Sequence, residues 1–527
     1  MDTRCPRQIA RPDRHGRPRL LPLLGFVALL VGLSLGNRHA SATRASASGR
    51  PELERVAAPR ACFVRLPDLP APRYGGFGAY NPESRVLAYA GGGAKLSDDI
   101  TMTYHDLFAI QLDPSSAGWR TLPYGSGAGY TRELDHGCRE MASVQIDAGL
   151  ALSVLGKDGC DNGRIDSGRK GGDLVSLAIG RAASNTEVRW LPGGNAAQLP
   201  RELAGNKGRL TRLFAAYDSL RERVLFGQGT FDSAVARDTL DAVFSAQRSG
   251  NVWRVQRLRP RGEAPSPRYG SCAAYVRQPE AGVDGLIVVG GKLPGMDGAD
   301  LAEVWWLDFA RGAAGEWREI SERFGNLDAL GPRREGACAY DPESRRLYSW
   351  MGRASKDIEA GAKRSAGLWQ VDLTNLGDAG AVLSWERLAP DDLEGVTGRR
   401  LIPSVWDPID KRLFAIGGRN DLDELADVWA IYPNVSPARC ASLDPYVAFA
   451  GEDLPAPPTP EEPTPTAVDP PEPRPTRTPP GPGRSTPGPV PSQSATREPA
   501  PEPSEPRIGE PFGRPAYLPA LMRGSTR

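Results

Sequence analysis

Two histidines, His105 and His136, stand clear of the first forty residues. A Ser/His/Asp or Cys/His centre needs an imidazole as general base, held by a third group. No motif frames either one, so the sequence assigns no catalytic residue. His136 lies two residues from Cys138, a pair better read as part of a loop or disulfide than as a nucleophile and its base. The loop Asp158-Gly159-Cys160-Asp161-Asn162-Gly163 has a calcium-loop outline. However, Cys160 replaces the third-position oxygen ligand and Arg169 replaces the bidentate glutamate. It reads as an ordinary acidic loop, and neither a metal site nor a cofactor is expected.

The residue type most able to bind something is arginine. Of 65 basic residues only eight are lysine, and 64 acidic residues bring the net charge to +1. That balance argues against nucleic acid as a partner. A guanidinium fork suits carboxylate or phosphate. Arg73, Arg139, Arg268, Arg333 and Arg399 recur at the head of similar segments, and Arg209 or Arg212 heads a weaker copy. A second set, Lys95, Lys157, Lys292, Arg353 and Arg419, follows glycine-terminated runs. The strongest candidates for an anion site are Arg73, Arg139, Arg268, Arg333, Arg399, Lys292, Arg353 and Arg419. Acidic loops and Glu140 and Glu335 lie close by in sequence. Pairing of these charges between structural elements is the competing reading.

The elements that position these residues repeat six times. PRYGGFGAYN from Pro72, REMASVQID from Arg139, PRYGSCAAY from Pro267, PRREGACAYD from Pro332 and RRLIPSVWD from Arg399 share one pattern, with LTRLFAAYD from Leu210 as the weak copy. The head positions are 66, 71, 58, 65 and 66 residues apart. Each segment is followed by a turn and an apolar run ending in glycine, such as Arg85–Gly93 or Gly285–Gly291. A third run follows, such as Glu303–Leu307, and five copies add a fourth carrying Trp119, Trp190, Trp253, Trp317 or Trp385. Alternating β-branched and aromatic residues between turn residues predict strands. Four antiparallel strands repeated around an axis make an all-β, six-bladed propeller. Heads of first strands and ends of second strands then meet at one mouth of the channel.

With Gly91-Gly92…Trp119, Gly290-Gly291…Trp317 and Gly417-Gly418, the sequence resembles the Kelch-repeat family of β-propellers. The second, third and fifth copies keep one glycine there, Gly156, Gly227 and Gly352. The resemblance implies a galactose-oxidase-like fold. Some relatives are copper radical oxidases that need two imidazoles and tyrosines, one cross-linked to cysteine. His105 and His136 meet that count without the pattern. Exported six-bladed relatives also include sialic-acid epimerases, but no motif carries their catalytic residues across.

The sixth copy lacks a fourth strand. Cys62–Leu66 matches Trp253–Leu258 and is expected to close the last blade, with Tyr446–Ala450 the competing segment. Closure places Cys62 near Cys440, and a second disulfide is expected between Cys138 and Cys160. Cys272 and Cys338, inside neighbouring first strands, are expected to be buried free thiols.

Residues 1–42 read as a signal peptide, with an uncleaved anchor as the alternative. They carry six arginines up to Arg19, an apolar run Leu20–Leu35 and Ala40-Ser41-Ala42. Their removal leaves 58 basic against 62 acidic residues. Residues 43–60 read as a linker and 61–440 as the propeller. Residues 441–527 read as a proline-rich disordered tail, since 451–527 hold 23 of the 50 prolines. The expectation is a secreted or extracytoplasmic, non-catalytic scaffold for a protein or acidic glycan, touching membrane only through an uncleaved leader. An enzyme acting on an anionic sugar and a plain structural spacer are the alternatives.

Overall fold

A computed structural model describes residues 53–95, 101–104, 106–113, 118–122, 138–147, 149–158, 174–179, 188–194, 200–204, 210–231, 239–249, 252–295, 298–354 and 364–447. The leader, Cys160, both loop histidines and the proline-rich tail lie outside them. Six antiparallel sheets follow one another around an axis. Blade 1 runs from its innermost strand Phe77–Asn81 through Val86–Ala90 and Leu107–Gln111 to Arg120–Leu122. Blades 2, 3 and 4 repeat this order from innermost strands Ala142–Asp147, Phe214–Asp218 and Cys272–Gln278. Blade 5 starts at Ala337–Asp341 and gains a short parallel strand, Phe324–Gly325, on its outer edge.

Blade 6 contains Val405–Asp407, Arg412–Ile416 and Val428–Pro433 from the end of the propeller. Ala61–Leu66 completes it by pairing antiparallel with Val428–Pro433, Cys62 opposite Tyr432. The N-terminal segment is therefore the clasp, not Tyr446–Ala450. A further strand, Arg55–Ala58, adds to its outside, within the stretch read as a linker. Cys62 and Cys440 form a disulfide across 378 residues, with Cα atoms 5.3 Å apart. A loop that long gives the crosslink a large effect on the unfolded chain, up to about 5 kcal/mol.

The Asp or Asn that ends the first strand of every blade but the fourth, which ends in Gln278, has a local cause. Asn81 Oδ1 accepts the amide hydrogens of Glu83 and Ser84, and Asp407 Oδ1 accepts those of Ile409 and Asp410. Each side chain thus folds its own hairpin turn. A period of two then sends alternate residues to opposite neighbours. Six apolar clusters result, one at each blade interface. Trp350, Trp385 and Trp429 are buried there, each adding more apolar contact than any aliphatic side chain.

That alternation also explains a correction. Cys272 and Cys338 are not free thiols: they form a disulfide, Cα atoms 5.6 Å apart. Cys272 shares the face of Ala274 and Val276, which looks towards blade 5, while Cys338 looks back towards blade 4. The two thiols therefore point at each other across the interface.

Candidate functional site

Before each innermost strand lies a triplet that reaches the axis: Arg73-Tyr74-Gly75, Cys138-Arg139-Glu140, Leu210-Thr211-Arg212, Arg268-Tyr269-Gly270, Arg333-Arg334-Glu335 and Arg399-Arg400-Leu401. Their middle residues pair with Gly93, Lys157, Thr230, Lys292, Arg353 and Arg419, the segments leaving the second strands. The third residues all have positive φ, between 54° and 71°. Their backbones join in a closed ring. Each amide donates to the carbonyl of the preceding blade: Glu140 to Gly75, Arg212 to Glu140, Gly270 to Arg212, Glu335 to Gly270, Leu401 to Glu335 and Gly75 to Leu401, at 2.6–3.3 Å. Left-handed backbone is costly for Glu, Arg and Leu, and the ring bonds offset it.

A second set of bonds lies beside this ring. The amides of Gly156, Gly229, Gly291, Gly352 and Gly418 donate to the carbonyls of Leu210, Arg268, Arg333, Arg399 and Arg73 of the next blade. These are the glycines the repeat keeps. In the third copy the conserved position is Gly229, not Gly227. A Cβ on Gly291 would lie 2.3 Å from Ser271 Oγ, so the close approach needs glycine.

The register separates the candidate arginines into two groups. Arg73, Arg268, Arg333 and Arg399 occupy the first triplet position and are buried. Each turns into its own blade. Arg73 pairs with Asp106, Arg268 with Glu303 at 2.6 Å, Arg333 with Asp391 at 2.8 Å and Arg399 with Asp427 at 2.6 Å. Each also donates from Nη1 to a carbonyl of the glycine turn. Burial would raise the Glu303 and Asp427 carboxyls, but hydrogen bonds from Trp305 and Arg268, and from Arg399 and Trp429, hold both below the usual range. These four arginines are clamps within their own blades, not the bridges between blades that the competing reading expected, and their partners are not the loop carboxylates it named.

Arg139 is in the middle position, one residue out of register with them. It sits on the inner ladder with Lys292, Arg353 and Arg419. The structure adds four cations to that set: Arg212, Arg334, Arg364 and Arg400. Arg334 reaches Asp300 at 2.7 Å in the neighbouring blade, and Arg400 reaches Glu335. Arg212 joins Glu140 at 2.9 Å and Glu335 at 3.0 Å. Burial opposes charge on Glu335, yet Arg212, Arg400 and Arg334 outweigh it and keep it ionised. The Lys292 ammonium is pushed down by burial and by Arg334. Arg364 is pushed down to about 10 by burial and by the charge of Arg400, with Arg353 adding to it, and remains cationic at neutral pH.

Much of this donor capacity is unused. The Nε atoms of Arg139, Arg334, Arg353, Arg364, Arg400 and Arg419, and Nη1 of Arg364, are buried without a hydrogen-bond partner among the described residues. Unmade hydrogen bonds of charged groups are costly. Two spaces adjoin these cations. An axial cavity of about 70 Å3 is lined by the third triplet residues and by Ser143, Ser271 and Ser404, a space below the size of small-ligand sites. A cleft of about 540 Å3 opens between blades 5 and 6, with Arg364 in its wall.

Among the described residues no group of three or more His, Cys, Asp or Glu could hold a metal. His105, His136 and the Asp158–Gly163 ligand set cannot be placed, and the Cys138–Cys160 pairing and Arg209 also fall outside the described residues. The missed cations left one signal: Arg334 and Arg400 directly follow a clamp arginine, where period two turns them to the opposite face.

No family model matches the chain, and no curated protein does. Among solved structures, YjhT is similar at 14% identity with a TM-score of 0.43, over 70% of this chain and 97% of that one. A fungal alcohol oxidase of the AA5 family, in complex with copper, is similar at 10% identity with a TM-score of 0.40, over 72% of this chain and 73% of that one. Chain path is all that such identities compare. The protein is a six-bladed β-propeller, with two disulfides among the described residues.

Proposed function

We propose that this chain is an extracytoplasmic, Kelch-like propeller that acts as a binding scaffold. Its ligand is an anionic group, a carboxylate above all, received at the axial mouth by Arg139, Arg334, Arg353, Arg400 and Arg419. The observation that carries this reading is the convergence of buried, unpartnered guanidinium nitrogens on one face. Asp300, Glu335 and Glu424 pair with part of this set, and the remaining excess of positive charge focuses anions. Export is supported by the two disulfides, which are rare in cytosolic proteins. Among the described residues no helix is long and apolar enough to cross a membrane.

A thermal-shift screen with glucuronate, galacturonate and their oligomers tests the site. The melting temperature should rise with acid sugars, less at high salt, and the rise should vanish in Arg334→Ala plus Arg353→Ala. An equal rise with the neutral sugars would refute the anion site. NMR detection of anomer or epimer turnover would replace the scaffold with an enzyme.

A further inference from the structure

The cleft between blades 5 and 6 has a composition that the axial mouth lacks. Its floor is aliphatic: Leu330, Leu393 and Val396 are buried beneath it, and Leu422, 87% exposed, stands at its rim. Arg364 closes the axial end with a side chain only 8% exposed. Its Nη2 is held by Asp421, which leaves Nε and Nη1 buried and unpartnered among the described residues. Asp392 lies on the wall, and Asp391 is already engaged by Arg333 and Ser365. The volume, about 540 Å3, lies in the range of small-ligand sites, ~300–1,000 Å3. It suits the end of a chain rather than a folded surface.

We infer that the cleft receives the C-terminal end of a partner peptide, its terminal carboxylate on Arg364 and its last, aliphatic side chain on Leu393 and Val396. Nε and Nη1 lie on different edges of the guanidinium, so a carboxylate takes one of them in a single charge-assisted hydrogen bond while Asp421 keeps Nη2. The aliphatic floor matches an apolar side chain, and Asp392 on the wall matches a basic residue upstream. Capture of a chain-terminal carboxylate is an established mode of peptide recognition. This assignment rests on the scaffold reading and names its partner.

The test uses the full chain and two pooled libraries of N-acetylated tetrapeptides varied at the last residue, one with free C-terminal acids and one amidated. Free acids ending in Leu, Ile, Val or Met should be retained and their amides lost. For a retained peptide, Arg364→Ala should weaken binding roughly ten- to a hundredfold. Asp421→Asn should leave it equal or tighter, because it frees the guanidinium. If Arg364 serves only to pair Asp421, the two variants will weaken binding alike, and that result overturns the proposal, as does equal retention of acids and amides. Glucuronate binding is measured in parallel with Arg334→Ala. If the sugar binds and the peptide acids do not, the peptide assignment falls while the anionic mouth stands; if neither binds, both fall.

Discussion

Blades 4 to 6 and blades 2 and 3 share a backbone plan and differ in what fills it. In blades 4, 5 and 6 the triplet begins with arginine, and each arginine clamps a glycine turn to a carboxylate of its own blade. In blades 2 and 3 the same position holds Cys138 and Leu210. The ring bonds still run through Glu140 and Arg212, and Gly156 still donates to the Leu210 carbonyl. Blade order is therefore set by backbone bonds at the axis, and the clamps reinforce it on one side. The half with clamps also carries both disulfides and most of the mouth cations. The same residue type thus stands in two places one position apart: the first arginine of a triplet clamps its own blade and the second lies on the inner ladder at the axis.

Removing a clamp should have the largest effect. Arg399→Ala strands Asp427 in a mostly buried site and should cost about 3–5 kcal/mol, read by urea denaturation. A cost under about 1 kcal/mol would mean that the clamped and unclamped blades are held alike.

The disulfides come next. Cys62→Ser with Cys440→Ser should destabilise by about 2–5 kcal/mol. Cys272→Ser with Cys338→Ser should cost ~1.5 kcal/mol less, because its loop is 66 rather than 378 residues. Equal losses would point to local packing rather than chain entropy.

Acid sharpens the contrast further. The Glu303 and Asp427 carboxyls sit below their unfolded values, so their contribution is complete above about pH 5 and is lost as pH falls through the folded values. Stability should decline as pH falls below about 5, and Asp427→Asn should flatten part of that decline. An unchanged slope in Asp427→Asn would remove the clamp from the acid response.

The smallest stability effect is expected at the mouth. Arg139→Ala breaks no clamp but removes a hydrogen bond to Tyr74 and a charge beside Glu140, and should cost about 1 kcal/mol while weakening anion binding. A large loss of stability there would make Arg139 a structural residue too.

Blade number, the closing strand and the Cys62–Cys440 bond were legible because repetition multiplies a weak signal six times. The triplet register was not. Arg139 heads its segment as Arg73 does, yet Cys138 holds the clamp position, and one residue reverses the side to which a strand residue points. Nothing marks Glu140, Arg212, Glu335 or Leu401 as left-handed, because the ring that stabilises them joins residues at least 58 apart, and its closing bond, Gly75 to Leu401, joins the two ends of the propeller. The Cys272–Cys338 bond was readable in principle. Their parities face each other across one interface, and treating each strand separately hid it. Arg364 enters the site through a loop that no repeat rule describes.

The most direct measurement is calorimetric titration with a galacturonate oligomer at low and high salt, on the wild-type chain and on Arg334→Ala plus Arg400→Ala. Saturable binding that salt weakens, and that falls at least tenfold in a double variant whose cooperative melting, at whatever temperature, shows it still folded, is the expected result. Undiminished affinity in that variant, or binding indifferent to salt, would contradict a division of the arginines into those that hold blades and those that hold ligand.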